Sequence, residues 1–129
     1  MGAKTFEELV CWQVSRELKV RVYALTDRPG CRRDFKFCSQ LREAAAGPPA
    51  HIAEGFVRKR PRDFARFLTI ARSSLAETEN HLFDGIDRGH WTDPELTEIR
   101  QLMRRAVSAI AALQRYLNSC DPDFGSPRT

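Results

Sequence analysis

Two neighbouring stretches hold the residues whose types and spacing could do chemistry. In "AHIAEG", His51 and Glu54 lie three apart, on one face of any helix they occupy. That spacing permits a hydrogen bond or one half of a metal site. A di-iron bundle needs carboxylates from all its helices and two Glu-x-x-His motifs. Here the order is reversed and has no second copy, so a satisfied polar pair is the expected role. Arg42 and Arg58 are the alternative partners for Glu54. Just downstream, "VRKRPRDFARF" gathers Arg58, Lys59, Arg60, Arg62 and Arg66. Cationic groups at this density can pair with the phosphates of RNA or DNA and release counterions. The same cluster could also be a solvated face, or form salt bridges to a neighbouring subunit.

Other chemistry finds little support. The chain has no glycine-rich phosphate loop, nucleophile elbow or zinc-protease motif. Ser73 and Ser74 stand mid-helix with no base at a readable spacing. The remaining histidines, His81 and His90, belong to no motif. Cys11, Cys31, Cys38 and Cys120 include no Cys-x-x-Cys pair, so zinc is not expected, and with no secretion signal and core enough to do without them, disulfides are not expected either. Cys11 and Cys38 read as small hydrophobes within helices. The expectation is a protein that is not an enzyme and holds no metal or cofactor.

A chain of 129 residues supports one domain with one sizeable core. Hydrophobic content of 42% and charged content of 29% describe a globular protein. No apolar run is long enough for a membrane span. The start, "MGAKTFEEL", has no apolar signal core, and Phe6 sits where a myristoylation signal needs Ser or Thr. A cytoplasmic location and no membrane partner are therefore expected. The net charge of +4 is compatible with a nucleic-acid partner, and the position of the charge must decide.

Four amphipathic patterns must position these residues. In the first, Phe6, Leu9, Val10, Val14, Leu18, Val22 and Leu25 recur at helical spacing behind a Thr5–Glu8 capping box. It ends near Thr26–Arg28, and "DRPGCRRD" reads as a polar, basic loop. The second runs from Phe35–Lys36 to about Gly55, with Cys38, Leu41, Ala45, Pro48 and Ile52 on one stripe. Pro48 and Pro49 should bend this helix or divide it. Its small residues, Ala44–Ala46, Gly47, Ala50 and Ala53, permit close helix approach, within the monomer or across a subunit boundary. The third begins at Pro61, buries Phe64, Phe67, Leu68, Ala71, Leu75, Thr78, Leu82 and Ile86, and stops at Gly89. The fourth follows "HWTDPE", where Thr92 and Glu95 can form a capping box and Asp93 is the alternative cap. Its ladder is Leu96, Ile99, Met103, Ala106, Ile110, Leu113 and Leu117. Trp12, Tyr23, Phe56, Phe83 and Trp91 fall partly off the stripes, as interface residues or a wider core. The tail 119–129 reads as flexible. The whole, residues 1–129 with a core of about 6–118, reads as one all-α, up-down-up-down four-helix bundle.

The third helix carries its charges against its own dipole. Arg58, Lys59, Arg60, Arg62 and Arg66 crowd its start, while Glu77, Glu79, Asp84 and Asp87 fill its second half. Each such placement costs about 0.3–1 kcal/mol when exposed. Arg60 also holds the expected N-cap, where Ser or Asp would be about 1 kcal/mol better. Local stability therefore does not account for the cluster. A second basic stretch, Arg28, Arg32, Arg33 and Lys36, should lie at the opposite end of an up-down bundle.

The stretches "FEELVCWQVSRELKVRVYALT", "CSQLREAAAGPPAHIAEGF" and "DFARFLTIARSSLAE" resemble the small bacterial four-helix-bundle proteins encoded in 23S ribosomal RNA intervening sequences. The resemblance covers about residues 6–118. Its most specific part is an Ala-rich run followed by Pro-Ala-Asn-Ile-Ala-Glu-Gly, matched here by Pro49, Ala50, Ile52, Ala53, Glu54 and Gly55. Ile70–Arg72 adds an Ile-Ala-Arg match. His51 stands where the family favours Asn, Gly47-Pro48 replaces a usual Ser-Ile, and Ser73 replaces a usual Gly. The resemblance implies a left-handed bundle that assembles as a homopentamer. By fold and charge it also resembles the accessory proteins of diversity-generating retroelements, which bind nucleic acid and a reverse transcriptase. Together these point to an oligomer that binds nucleic acid as an assembly or accessory factor. The alternative is a scaffold that recognises an acidic protein partner.

Overall fold

A computed structural model of the chain describes residues 2–58 and 60–120. Among them the structure is all-helical: α1 (Val10–Thr26), α2 (Pro29–Arg33), α3 (Phe35–Phe56), α4 (Pro61–Asp87) and α5 (Thr97–Asn118). Four of these are long. Two 3-10 turns, Phe6–Glu8 and Pro94–Leu96, precede α1 and α5. α1 packs on α3, α3 on α4, α4 on α5, and α5 back on α1. The expected stripes fill the space between them. Leu18, Val22, Leu41, Ile52, Leu68, Ala71, Leu75, Leu96, Ala106 and Ile110 are all within 1% of complete burial.

Three local expectations change. The capping box forms, with the Glu8 carboxylate accepting the Thr5 backbone N–H at 2.8 Å, but it heads only the 3-10 turn. Leu9 is extended (ψ 128°) and α1 starts at Val10, which therefore points outward at 62% exposure. The supposed loop after α1 contains α2, because Cys31 is apolar enough to bury and Pro29 suits a first helical position. At the fourth helix, Glu95 accepts the Thr92 N–H at 2.9 Å, yet Pro94–Leu96 winds as a 3-10 turn and α5 begins at Thr97. All four cysteines are buried, and none is joined in a disulfide. Gly89 stops α4 at φ 80°, and the His90 N–H closes back on the Gly85 carbonyl at 2.9 Å. Ser119 Oγ donates to the Tyr116 carbonyl and Cys120 is buried. The tail expectation otherwise falls on 121–129, outside the described residues.

α3 is one uninterrupted helix, so the prolines do not divide it. Neither Pro48 nor Pro49 can donate to the carbonyls of Ala44 and Ala45. Both rings are buried, and packing against α1 and α4 holds the helix together despite them. Close approach between α3 and α4 is built on glycine. A Cβ on Gly47 would lie 2.6 Å from Ser74 Oγ, and one on Gly55 would lie 2.8 Å from both Phe64 Cδ1 and Phe67 Cβ. The small residues at 44, 45, 47 and 55 thus serve packing inside the monomer, whereas Ala50 is exposed.

At one end, ion pairs tie the α1–α3 connection to the α4–α5 connection. Arg28 bonds Glu95 and the His90 carbonyl, while Asp34 accepts from both Arg88 Nη1 and His90 Nε2 at 2.9 Å. Arg21 reaches Glu98, and Arg100 reaches Asp93. Phe37, His90 and Trp91 stack beneath, and the Trp91 indole N–H donates to the Leu82 carbonyl at 2.9 Å.

Two outcomes follow from this packing. Gly55→Leu should lower stability by about 1–3 kcal/mol through overpacking against Phe64 and Phe67. It should appear as a lower urea midpoint at unchanged slope. The second concerns acid. The His90 hydrogen bond, and then Arg88, hold the Asp34 carboxyl below its usual range. Arg28, and then the Thr92 N–H, pull Glu95 down to about 2. A carboxylate depressed by folding contributes stability above its unfolded pKa and loses it as pH falls through its folded one. For Glu95 that window runs from the ordinary 4.5 down to about 2. Glu95→Gln should reduce stability at neutral pH and flatten its decline across that window, read by urea titrations at successive pH values.

Candidate nucleic-acid interface

α3 ends at Phe56 and α4 begins at Pro61, so the basic cluster occupies a short connection and the first turns of α4. Pro61 pre-sets the first helical φ and is itself buried. Arg60 is the N-cap in extended conformation (φ −102°, ψ 130°), and no side chain caps the helix. Its carbonyl accepts the Asp63 and Phe64 N–H groups at 3.1 and 3.2 Å. Asp63 is the one acidic residue in the first turn.

Arg58, Arg60, Arg62 and Arg66 are all exposed. Lys59, expected to belong with them, lies outside the described residues. Arg58 has a loose contact with Glu54 at 3.8 Å. Among the described residues, Arg60, Arg62 and Arg66 have no carboxylate partner. Arg58 and Arg66 instead share an aromatic ring: their guanidinium carbons lie 4.9 and 5.0 Å from the Phe67 centroid. Phe67 is nearly buried, and below it Phe64 meets Phe56 edge-on at 6.1 Å. Sequence reasoning placed Phe67 in the core stripe and missed that it organises two of the arginines. The i, i+1 step from Arg66 gave no cue. The second basic stretch stands well apart. α3 has 22 residues and is therefore about 33 Å long, with Lys36 at its start and Arg58 beyond its end.

The family-motif residues divide between core and surface. Pro49, Ile52 and Gly55 are buried, Ala53 is half-buried, and Ala50 and Glu54 are exposed. The expected His51–Glu54 pair does not form. Glu54 turns to Arg58, and His51 Nδ1 is buried with no hydrogen-bond partner. Arg42 pairs with Asp27 and lies over the Tyr23 ring. His51 faces α4, because Gly47, one turn earlier, lets Ser74 come close. It lines a polar groove of about 400 Å³ with Gln40, Glu43, Ser74, Glu77 and His81. His81 sits near Phe37, 6.5 Å between ring centres, which is 14 residues before His51 on α3, or about 20 Å along the helix. One ion cannot take both imidazoles. No group of three or more His, Cys, Asp or Glu among the described residues is arranged to hold a metal. The hydroxyls of Thr69, Ser73 and Thr78 on α4 back-bond to carbonyls one turn earlier.

Of the off-stripe aromatics, Trp91 widens the core, Trp12 packs on Phe6, and Phe56 packs on Phe64. Tyr23 is half-buried. Phe83 stays half-exposed beneath Arg100. No helix among the described residues is long and apolar enough to cross a membrane.

The chain matches the family described as 23S rRNA-intervening sequence protein over residues 7–112, and it belongs to that family. No curated protein matches it.

The α4 N-terminus yields a stability test. Arg60→Ser supplies the missing cap and removes a cation from the positive end of the dipole. The variant should be more stable by about 1 kcal/mol, read as a raised denaturant midpoint. A drop in stability would show that Arg60 is there for the fold.

Proposed function

We propose that this protein is a non-enzymatic homo-oligomer, a pentamer by family resemblance, that binds nucleic acid through Arg58, Arg60, Arg62 and Arg66. The observation that carries this reading is a gathering of exposed cations, three of them without a carboxylate partner among the described residues, at the positive end of a 27-residue helix. The placement works against helix stability and in favour of an anion. At the other end Arg21, Arg28, Arg88 and Arg100 are paired with carboxylates, while Arg32, Arg33 and Lys36 are exposed with no carboxylate partner among the described residues. Lys59 adds its charge to the same stretch of sequence.

The architecture in this reading is a left-handed, up-down-up-down bundle with α3 bent at Pro48–Pro49. The order of cross-helix contacts supports its up-down run through α3, α4 and α5. Phe37 lies by His81, Gly47 by Ser74, and Gly55 by Phe64 and Phe67; likewise Arg72 reaches Gln114 and Phe83 reaches Arg100. Each sequence of contacts ascends one helix while descending the next. A ring of copies would repeat the cluster around its axis, so weak contacts to one polyanion would add through effective concentration. The protein would then serve, in the cytoplasm, as an assembly or accessory factor for a nucleic acid or for an enzyme that works on one, such as a reverse transcriptase.

The test is a salt titration of binding to a labelled structured RNA and a matched DNA duplex, with mass measured by light scattering in the same buffers. Four phosphate contacts per chain give a slope of log affinity against log salt of about −3 to −4. The quadruple variant Arg58→Ala, Arg60→Ala, Arg62→Ala, Arg66→Ala should lose that slope and most of the affinity while keeping the wild-type mass. Absence of binding to either ligand at low salt, with capture of an acidic protein abolished by the same variant, would support the protein-scaffold reading instead.

A further inference from the structure

We infer that the Arg58–Phe67–Arg66 cluster is a base-stacking platform, which makes unpaired single strands the preferred class of nucleic acid; this rests on the nucleic-acid reading above. Phosphate binding alone needs only charge, and charge on long, free side chains serves it well. Here two of the four arginines are held differently. Arg58 arrives from the connection after α3 and Arg66 from the second turn of α4. Both guanidinium carbons come within about 5 Å of one ring centre. Gathering two like charges on one ring costs free energy, and among the described residues the carboxylate that pairs with either is Glu54, 3.8 Å from Arg58. The ring's attraction for cations offsets part of that cost.

The consequence is geometric. Phe67 is 7% exposed, with its Cβ close against Gly55, so the ring has little freedom. A guanidinium held within about 5 Å of such a ring samples fewer positions than one on a free side chain. Arg58 keeps 45% of its side chain in water, and Arg66 is exposed. A planar guanidinium with one side on an aromatic and another in water can receive a nucleobase by stacking. The neighbouring Val57, 69% exposed, offers apolar contact beside it. Arg60 and Arg62 engage no ring and offer phosphates charge alone, whereas Arg58 and Arg66 bring a planar face together with their charge. This division of labour needs bases whose faces are open. A duplex hides them within its stack, and a single strand presents them.

The test compares three labelled 20-nucleotide probes by fluorescence anisotropy at one salt concentration: a single strand, the same backbone made abasic throughout, and a duplex. The wild-type protein should bind the base-carrying strand at least about tenfold tighter than the abasic strand of equal charge. The double variant Arg58→Lys, Arg66→Lys keeps both charges and removes both planes. It should lower affinity for the base-carrying strand towards the abasic value, a several-fold larger loss than on the abasic strand or the duplex, which lose only what exchanging arginine for lysine costs a phosphate contact. Equal wild-type affinity for the two single strands would overturn the inference while leaving phosphate binding in place, and that arm needs no variant. An equal loss on all three probes would overturn it as well. Failure of the wild-type protein to bind any probe at low salt would overturn the nucleic-acid reading itself.

Discussion

The arrangement depends on how closely α3 and α4 approach. At Gly47 and Gly55 there is no room for a Cβ: the space is filled by Ser74 in one case and by Phe64 and Phe67 in the other. Glycine inside a helix costs roughly 1 kcal/mol against alanine. Two of them in one helix, along with two prolines, make α3 intrinsically poor. It persists because its buried face lies between α1 and α4 and carries Leu41, Ala45 and Ile52, all but fully buried. Tertiary packing, not propensity, therefore decides this helix. The same contact fixes where α3 stops. Gly55 resting on Phe64 and Phe67 sets the position of the connection between the two helices, and with it the basic cluster.

Much of this was legible in the sequence. The four long helices, nearly every buried position of the third and fourth stripes, the Gly89 stop and the Pro61 start all follow from period and terminal signals. What escaped detection has a physical cause in each case. A capping box specifies a hydrogen-bond pattern that a 3-10 turn satisfies as well as an α-helix, so Thr5 and Glu8 could not reveal the break at Leu9. Cys31 is a single apolar residue in a polar stretch, too little for a periodic signal, yet enough to bury one face of α2. The His51–Glu54 spacing permitted a bond that competition removed, because Arg58 lies one turn beyond Glu54 and its charge attracts the carboxylate more strongly than an imidazole does. The groove shared by His51, Ser74 and His81 joins positions over 20 residues apart, and only the helix pairing brings them together.

The site itself was half legible. A run of cations is visible in any sequence, and its conflict with the α4 dipole follows from the helix boundaries alone. The Phe67 contact is different. Phe67 satisfied the core stripe completely, so nothing in its spacing called for a second role. An aromatic ring at a core boundary has two distinct environments, one apolar and one open to cations, and the pattern of buried positions registers only the first.

The two ends of the molecule use ion pairs differently. Where the α1–α3 and α4–α5 connections meet, Asp34 serves Arg88 and His90 together, Glu95 serves Arg28, and Arg88 takes a second carboxylate from Asp84. Arg28 and Arg88 there join elements that are far apart in sequence, while Arg32, Arg33 and Lys36 at the same end stay exposed with no carboxylate partner among the described residues. Where α3 turns into α4, the connection is so short that chain continuity alone holds the elements together, and glycine contact sets their spacing. Among the described residues Arg60, Arg62 and Arg66 there pair with no carboxylate, while Arg58 has a loose contact with Glu54. Charge that packing does not use remains available to a partner. Close packing of Gly55 on Phe64 and Phe67 is thus what holds the two helices on either side of the cluster, and it does so without drawing on the charge of the arginines between them.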